Sequence, residues 1–571
     1  MTLVASDGTA LGFAYRTDRP KPDAMPGRGS GDGEGPQRVV AAFDAVAERL
    51  AALAAKLHAR GRPEEADLME VSSLIARDLD LRGAAIRNAE RGEPVSVAIS
   101  RAVGHYADTI AELDDPTLAD RAADVRQIGK RALAWLNGDV GAPPDGPLVL
   151  IAEEIGTADL LESTAPVVAA LSVRGGPNSH AAIVARSLSI PLLTGIDLAL
   201  LDLDDGIEVL VDGERGLVRP NPASMEREAA LAKMADMRSL RNSYRRERNL
   251  PCRTLDGHEV GLRANVATPA DARAGLEAGA DGVGLLRTEL PFLESTRWPT
   301  ELRHSTMLTP ILRELTGRPV TVRTLDFADD KLPPFLAAGR QGERLGRGLP
   351  LMLAEPAAFA DQFRAILSAA PVGTDLRIMI PMVASTGELR ACRKLLNSAA
   401  EALGIEPPPL GVMIELVEAV ERAGELAAES AFLSIGSNDL TCQVLELDRR
   451  DPAAAPEMAA HPFVLAAIAR TVEAAHRHRR QVSVCGDAAA HPTVIPLLVG
   501  LGIDVLSVAP ARVDEVRYRI RRLRRDECTR LAAEALECHT VQQVGQLVWA
   551  RNQTIGSISE GHSAMPNGAG L

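Results

Sequence analysis

Cysteine, lysine and aromatic residues are all scarce in this chain of 571 residues. Its six cysteines are scattered without a CxxC pair, so neither a disulfide framework nor a cysteine-based zinc site is indicated. Only six residues are lysine against 57 arginines, so a lysine inside a motif is more informative than an arginine. Because aromatic residues make up 3% of the chain, we expect cores built from Ala, Leu and Val.

Long apolar runs and an N-terminal targeting signal are also missing. No apolar run approaches the ~18 residues that span a membrane, and the first residues lack the basic and then apolar pattern of a signal peptide. We therefore expect a cytoplasmic protein without membrane insertion. The net charge of −14 argues against nucleic-acid binding. The basic cluster 238–248 is interpreted as a solvated helix face, because Tyr244 is the only aromatic residue within it.

The length of the chain is typical of three or four domains, and its apolar pattern changes along the sequence. A strand-like segment near the N-terminus precedes a Pro/Gly-rich loop at 20–36, and an amphipathic helical stripe starts at Val39. From Pro147 onwards, short apolar runs alternate with helices and turns. We predict a helical subdomain over 21–144 that is inserted in a small α/β domain formed by 1–20 and 145–223.

The second half of the chain has a different, repeating pattern. A charged helical stretch, 224–250, is predicted to be a linker helix. Over 251–547, about eight strand-like runs alternate with helices, which is the sequence outline of a (β/α)₈ TIM barrel. The runs are 260–264, 282–286, 320–325, 376–381, 410–414, 432–435, 482–484 and 505–508. The end of the chain, 548–571, is predicted to be a disordered tail.

One histidine stands at the predicted start of a helix. Gly175 and Gly176 allow a tight turn, Asn178 or Ser179 can cap the helix, and His180 follows. Unpaired N–H groups and the positive end of the helix dipole favour a neutral imidazole and stabilise an anion attached to it. We expect a nucleophile that can carry a phosphoryl group. The residues alone leave open an ordinary histidine packed at a helix start.

Polar residues directly follow the predicted barrel strands, at the end of a barrel where active sites lie. Glu415 and Asp439 are hard oxygen ligands suited to Mg²⁺. Arg287, Arg323 and Arg449 can each form paired hydrogen bonds with phosphate or carboxylate oxygens. Each residue alone also fits a solvated charge at a barrel mouth, but their joint placement favours a site.

Cys485 ends another predicted strand at the same edge. A lone cysteine in such a place is more often a small buried hydrophobe than a reagent. Its role therefore stays open on the residues alone.

In these motifs the chain resembles Enzyme I of the bacterial phosphoenolpyruvate-dependent sugar phosphotransferase system. The resemblance runs from about residue 3 to about residue 545. The motifs that carry it are 120–131, 175–191, 282–289, 322–326, 411–415, 434–441 and 485–486.

The resemblance implies a multidomain α/β phosphotransferase. Its swivelling domain would carry a phosphoryl group on Nε2 of His180, and its barrel would bind phosphoenolpyruvate and Mg²⁺. Glu415 and Asp439 would hold the Mg²⁺, and Cys485 would protonate the enolate to give pyruvate. The helical subdomain would dock the phosphocarrier HPr, and the barrel would form a homodimer. The substrate ligands implied are Arg287, Arg323, Lys331, Asn438 and Arg449.

The chain departs from the family pattern at several positions. Ala181 replaces the usual Thr after the histidine, as it does in related dikinases. Arg347 is a further candidate substrate ligand, in a segment that is one residue short of the family spacing. The other altered positions at the barrel are Ala328, Gly348, Leu416 and Asp487.

Two other functions compete with this one. A dikinase or synthase shares the phosphohistidine and the barrel, but it needs an ATP-binding domain for which we expect no room before Leu11. A catalytically impaired Enzyme I paralogue would bind carrier proteins and act in regulation. The altered barrel positions motivate that second alternative.

Overall fold

The computed structural model describes most of the chain as two compact units, residues 1–239 and 240–571. The division falls inside one helix, Ser224–Arg246. The described residues are 2–18, 35–59, 63–111, 116–136, 145–163, 165–176, 179–293, 295–327, 333–337, 349–448, 451 and 454–560.

A mixed sheet of seven strands forms the centre of the first unit, in the order β1-β5-β4-β3-β2-β6-β7. Every residue of Leu148–Ala152 is buried, which is typical of a central parallel strand covered on both faces. The flanking pairs of β1 with β5, β2 with β6 and β6 with β7 are antiparallel. The strands are β1 Leu3–Ser6, β2 Thr9–Arg16, β3 Leu148–Ala152, β4 Val167–Ser172, β5 Leu192–Thr194, β6 Glu208–Asp212 and β7 Leu217–Pro220.

Five helices lie between β2 and β3 in the sequence and share one apolar core. The first buries Val39, Phe43, Val46 and Leu50, so the stripe with steps of three and four is the packed face, as the sequence predicts. The helices of this unit are α1 Gly35–Ala59, α2 Pro63–Ala76, α3 Leu79–Glu90, α4 Val95–Ala111, α5 Pro116–Leu136, α6 Thr157–Glu162 and α7 His180–Ser187.

A closed barrel of eight parallel strands forms the second unit. The last strand pairs with the first, Val505 with Gly261, which closes the ring. All eight predicted runs are strands, with ends within two residues of the prediction, so the α/β fold with a C-terminal TIM barrel is confirmed. The strands are β8 Gly261–Val266, β9 Val283–Leu286, β10 Pro319–Arg323, β11 Asp375–Ile380, β12 Leu410–Ile414, β13 Phe432–Gly436, β14 Gln481–Cys485 and β15 Val505–Val508.

The helix Ser224–Arg246 precedes the barrel strands, and further helices follow them along the chain. None of the helices in the described ranges is long and apolar enough to cross a bilayer. From residue 224 onwards, the described α-helices are α8 Ser224–Arg246, α9 Pro269–Glu277, α10 Glu301–Glu314, α11 Pro334–Ala337, α12 Leu349–Ala354, α13 Pro356–Ala369, α14 Thr386–Leu403, α15 Val417–Glu421, α16 Ala423–Glu429, α17 Ser437–Leu445, α18 Pro462–Arg477, α19 Val494–Leu501, α20 Val513–Ile520, α21 Arg525–Leu536 and α22 Val541–Glu560.

The last helix corrects the predicted tail. Residues 548–560 continue α22, in which Val544 and Val548 are buried against the barrel. Residues 561–571 lie outside the described part. The basic cluster at the end of α8 is exposed at Arg238, Arg241 and Arg245, as expected of a solvated face.

Candidate active site

An open cavity of about 180 Å³ lies at the C-terminal ends of the barrel strands. The structure brings six of the predicted site residues to its wall: Arg287, Arg323, Glu415, Asn438, Asp439 and Cys485. The other predicted substrate ligands, Lys331, Arg347 and Arg449, lie outside the described residues, as do Ala328 and Gly348.

Arg323 ends β10 and is the most strongly paired cation of the cavity. Its Nη2 donates to Oε1 of Glu289 at 2.7 Å, and its Nη1 lies 2.6 Å from Oδ2 of Asp326. Burial alone would lower the pKa of Arg323, but Glu289, Asp326 and Glu415 raise it overall. Its buried Nε has no hydrogen-bond partner within the described part of the chain.

Glu415 directly follows β12 and is almost fully buried. Its Oε1 accepts a hydrogen bond from the backbone N–H of Met382 at 2.6 Å. Burial, Asp326 and Asp439 raise the pKa of Glu415 to about 8. Gly436 leaves room for the carboxylate, because a Cβ there would lie 2.8 Å from Oε2 of Glu415.

The described wall of the cavity carries more negative than positive side chains. Four carboxylates, Glu289, Asp326, Glu415 and Asp439, face two guanidinium groups, Arg287 and Arg323. Two of the carboxylates, Glu289 and Asp326, pair with Arg323, and Glu415 and Asp439 add further hard oxygen donors to the same wall. A divalent cation would balance the excess charge, so these residues fit one.

Asn438 is oriented by a residue in the loop after β14. Its Nδ2 donates to Oδ2 of Asp487 at 3.1 Å, and its Oδ1 accepts from the N–H of Asp487 at 3.1 Å. Gly486 has a φ of 97°, and a Cβ there would lie 2.4 Å from Oγ of Ser437. The altered residue Asp487 therefore still fixes the Asn438 amide in one orientation.

Cys485 is a buried thiol at the end of β14. It donates to the carbonyl of Ile435 at 3.5 Å, and Oγ of Ser434 lies 3.8 Å from its sulfur. Burial raises the pKa of Cys485 to about 11, against the lowering influence of Arg323. The buried thiol is therefore a weaker acid than an ordinary cysteine and stays protonated at neutral pH.

His180 begins α7 in the first unit. The helix is capped by Ser179, whose Oγ accepts from the N–H of Ala182 at 3.3 Å, as one of the two predicted caps. The other candidate cap, Asn178, lies outside the described residues. Nδ1 of His180 lies 3.7 Å from Oδ2 of Asp124 on α5, and the histidine side chain is 22% exposed. Its ring is thus accessible while one nitrogen faces a carboxylate.

Helix α5 is fixed against the sheet beside His180. Arg131 forms ion pairs with Asp159 at 2.8 Å and with Glu162, and Nε2 of Gln127 donates to the carbonyl of Glu154 at 2.6 Å. A cavity between α5 and the sheet contains His180 together with backbone of the glycine turn. The buried hydroxyl of Thr194 also lines it, and that oxygen has no partner among the described residues.

Three carboxylates contact predicted site residues, although the sequence does not assign them to the site. They are Glu289, Asp326 and Asp124. Glu289 and Asp326 belong to the motifs 282–289 and 322–326, so the sequence predicts their position at the strand ends. It does not predict that both pair with Arg323. Asp124 stands within a helical pattern 56 residues before His180, and nothing in the spacing links the two. Leu416, one of the altered positions, begins α15 without a side-chain cap.

Three family models match successive parts of the chain. Residues 3–121 match the N-terminal domain of PEP-utilising enzymes, residues 144–216 the mobile domain, and residues 241–525 the PEP-binding domain. The order of these three matches agrees with the order of the helices α1–α5, the strands β3–β6 and the barrel along the chain.

Individual relatives cover most of the chain. A multiphosphoryl transfer protein of Xanthomonas campestris pv. campestris is 35% identical over 95% of this chain, and one of Rhodobacter capsulatus is 37% identical over 80%. The chain spans 66% and 56% of these two proteins, less than two thirds of their lengths. A phosphoenolpyruvate-protein phosphotransferase of Geobacillus stearothermophilus is 31% identical over 96% of this chain and 97% of its own length.

Proposed function

Because the chain belongs to the phosphoenolpyruvate-protein phosphotransferase family of PEP-utilising enzymes, we propose that it transfers the phosphoryl group of phosphoenolpyruvate to His180. The observation that carries the proposal is the convergence of Arg287, Arg323, Glu415 and Cys485 on one barrel cavity. A phosphate and a carboxylate need cations, and an enolate needs an acid. This cavity supplies both.

The metal of this proposal is Mg²⁺, held by Glu415 and Asp439. Bound there, Mg²⁺ would neutralise charge on the phosphoryl and enolate oxygens. The small number of carboxylates suits an ion that keeps several ligand positions for water and substrate.

The side chains have separate tasks in the transfer. Arg287, Arg323 and Asn438 hold the substrate, while Nε2 of His180 attacks phosphorus as a new P–N bond forms and the P–O bond to the enol breaks. The electron pair stays on the enolate. Its methylene carbon takes the proton from Sγ of Cys485, which gives pyruvate and a thiolate that solvent reprotonates. We assign Lys331, Arg449 and Arg347 to the same substrate site, as the resemblance implies.

The acceptor we propose is the phosphocarrier HPr, docked on the helical subdomain. Leu74 and Leu79 are 67% and 84% exposed at the junction of α2 and α3. Asp78 and Asp80 flank Leu79 at the start of α3, and Arg77 beside them is also exposed. The exposed leucines fit a partner that has an apolar patch of its own.

Compartment and assembly complete the proposal. The six free cysteines fit a reducing compartment, so we propose a cytoplasmic location. Homodimerisation through the barrel stays a prediction from the resemblance.

Labelled phosphoenolpyruvate with Mg²⁺, with and without purified HPr, tests the proposal. We expect label on the chain that passes to HPr and one pyruvate released per phosphoryl group. No label under any condition would favour the impaired regulatory paralogue. Labelling from ATP without phosphoenolpyruvate would favour the dikinase.

A further inference from the structure

A buried amide outside the substrate cavity connects two of the strand ends that form it. Gln362 lies on α13 and is fully buried. Its Oε1 accepts from the N–H of Leu325, just after β10, at 3.0 Å. Its Nε2 donates to Oγ1 of Thr288, just after β9, at 3.0 Å. One amide therefore ties together the chain segments that carry Arg323 and Arg287.

The hydrogen bonds continue from Thr288 to Arg323. Oγ1 of Thr288 donates to the carbonyl of Arg323 at 2.9 Å, and the N–H of Thr288 donates to Oε2 of Glu289 at 3.0 Å. Oε1 of the same glutamate accepts from Nη2 of Arg323 at 2.7 Å. The backbone and the guanidinium of Arg323 are thus both held by the 288–289 segment, and Gln362 anchors that segment from behind.

The two contacts need one hydrogen-bond acceptor and one donor at position 362, which a glutamine amide provides. The backbone N–H of Leu325 needs an acceptor, and Oγ1 of Thr288 needs a donor because its own hydrogen is given to Arg323. A reversed amide would bring two donors together at Leu325. A methionine of similar size would leave both buried groups without partners.

We propose that Gln362 is a positioning residue for the substrate-binding arginine Arg323. This inference rests on the proposed function, since it assigns Arg323 to phosphoenolpyruvate. Losing the amide would let the strand end and the guanidinium shift together, and small displacements of a substrate-orienting group lower turnover strongly.

The first test is Gln362→Met with Thr288→Val in a double-mutant cycle on kcat/KM for phosphoenolpyruvate. We expect each single variant to lower kcat/KM about 10- to 100-fold, and the double variant to lose no more than the worse single variant, because both break one chain of hydrogen bonds. Multiplied losses, or unchanged kcat/KM in folded Gln362→Met, would overturn the proposal.

Thr471→Val is the matched control. Thr471 is equally buried in the barrel unit, and its hydroxyl donates only to the carbonyl of Ala467 in its own helix. We expect this variant to change the unfolding midpoint while kcat/KM for phosphoenolpyruvate stays within about twofold. An equal loss of kcat/KM in this control would show that the effect of Gln362→Met is general damage to the barrel, and would overturn the assignment.

Gln362→Glu tests the positioning role through the pH profile of kcat/KM, which a purely structural role would leave unchanged. A carboxylic acid can still accept from Leu325 and donate to Thr288, whereas a carboxylate can only accept. We expect kcat/KM relative to wild type to fall as pH rises from 6 to 9. A ratio independent of pH would contradict the proposal. Inactive wild-type protein would instead show that the proposed function itself is wrong.

Discussion

At the scale of single residues, the barrel cavity is organised around charges that its folded state holds close together. Arg323 is shared between Glu289 and Asp326, and Glu415 is buried beside two further carboxylates. Such crowding is unfavourable without a counter-charge, because burial and like charges both oppose ionisation of Glu415. In the proposed function, a substrate phosphate on the arginines and a divalent cation on the acids would supply the counter-charges.

The first prediction concerns the proton donor. Cys485→Ser should slow pyruvate formation by about 10²-fold or more, because a serine hydroxyl is a far weaker acid than a thiol. Steady-state kinetics with phosphoenolpyruvate and HPr measure it. Cys528→Ser is the control, since Cys528 is equally buried and lies on α21, away from the cavity. If the two variants turn over at the same rate, Cys485 is not the acid.

The second prediction concerns the metal. Asp439→Ala should abolish labelling by phosphoenolpyruvate and remove the dependence of substrate binding on Mg²⁺, with little change in the unfolding transition. Asp375→Ala is the control, because Asp375 stands at the opposite end of the barrel, at the start of β11. Normal labelling of the Asp439 variant would show that the ligand assignment is wrong.

The sequence predicts the charged residues of the cavity well but not how they interact. Arg323 lies near the end of one strand-like run and Glu415 directly follows another, so the topology of a parallel barrel alone brings them together. Gln362 lies inside an amphipathic helix, where no pattern distinguishes a buried amide from a surface one. Its two contacts come from segments 37 and 74 residues away in sequence. Only the packed structure brings them into contact.

At the scale of elements, helix α10 contains a histidine whose burial makes the barrel sensitive to acid. His304 is fully buried, packs edge-on against Phe292 with ring centroids 4.8 Å apart, and has no hydrogen-bond partner on either ring nitrogen within the described residues. Burial lowers the pKa of His304 to about 4. The folded chain therefore holds this imidazole neutral where the unfolded chain would protonate it.

The third prediction follows from that difference. Between pH 6.5 and pH 4 the unfolded state binds the proton and the folded state does not, so stability is lost as pH falls through this window. The loss due to His304 is roughly 3 kcal/mol between pH 7 and pH 4. His304→Leu should remove this part of the acid sensitivity, as measured by urea unfolding at both pH values.

Leu312→Ala provides the comparison on the same helix. Leu312 is fully buried, and its truncation should cost about 2–5 kcal/mol at either pH, since no titrating group is removed. Acid sensitivity that is the same in His304→Leu and in the wild type would contradict the account of His304.

The elements that the sequence predicts best are those with a long or repeated apolar pattern. All eight barrel strands and the packed face of α1 are found where expected. The sequence does not identify β1, β5 and β7, which are three or four residues long and take their strand form from pairing in the sheet. The predicted tail is wrong for 548–560, which belong to α22.

At the scale of the whole molecule, the two halves of the proposed reaction belong to different units. His180 and the exposed leucines lie in the first unit, whereas the substrate cavity lies in the second. In the proposed reaction, loading of His180 needs both units, whereas delivery to HPr needs only the first. Variants of the two units should therefore affect different half-reactions.

The fourth prediction uses this separation. Leu79→Asp should weaken docking, and thus raise KM for HPr about tenfold or more, while labelling of His180 by phosphoenolpyruvate is unchanged. Single-turnover transfer from the loaded chain to HPr measures the effect. Leu302→Asp is the control, since Leu302 is also highly exposed but begins α10 of the barrel. Equal effects of the two variants would place the docking surface elsewhere.

The central claim is that His180 carries the phosphoryl group, and the most direct test is labelling of the wild type and His180→Ala with labelled phosphoenolpyruvate and Mg²⁺. We predict about one label per wild-type chain, unstable in acid and stable in base, that HPr removes completely. We predict none on His180→Ala. Label that persists on the variant, or a wild type that takes none, would contradict the account.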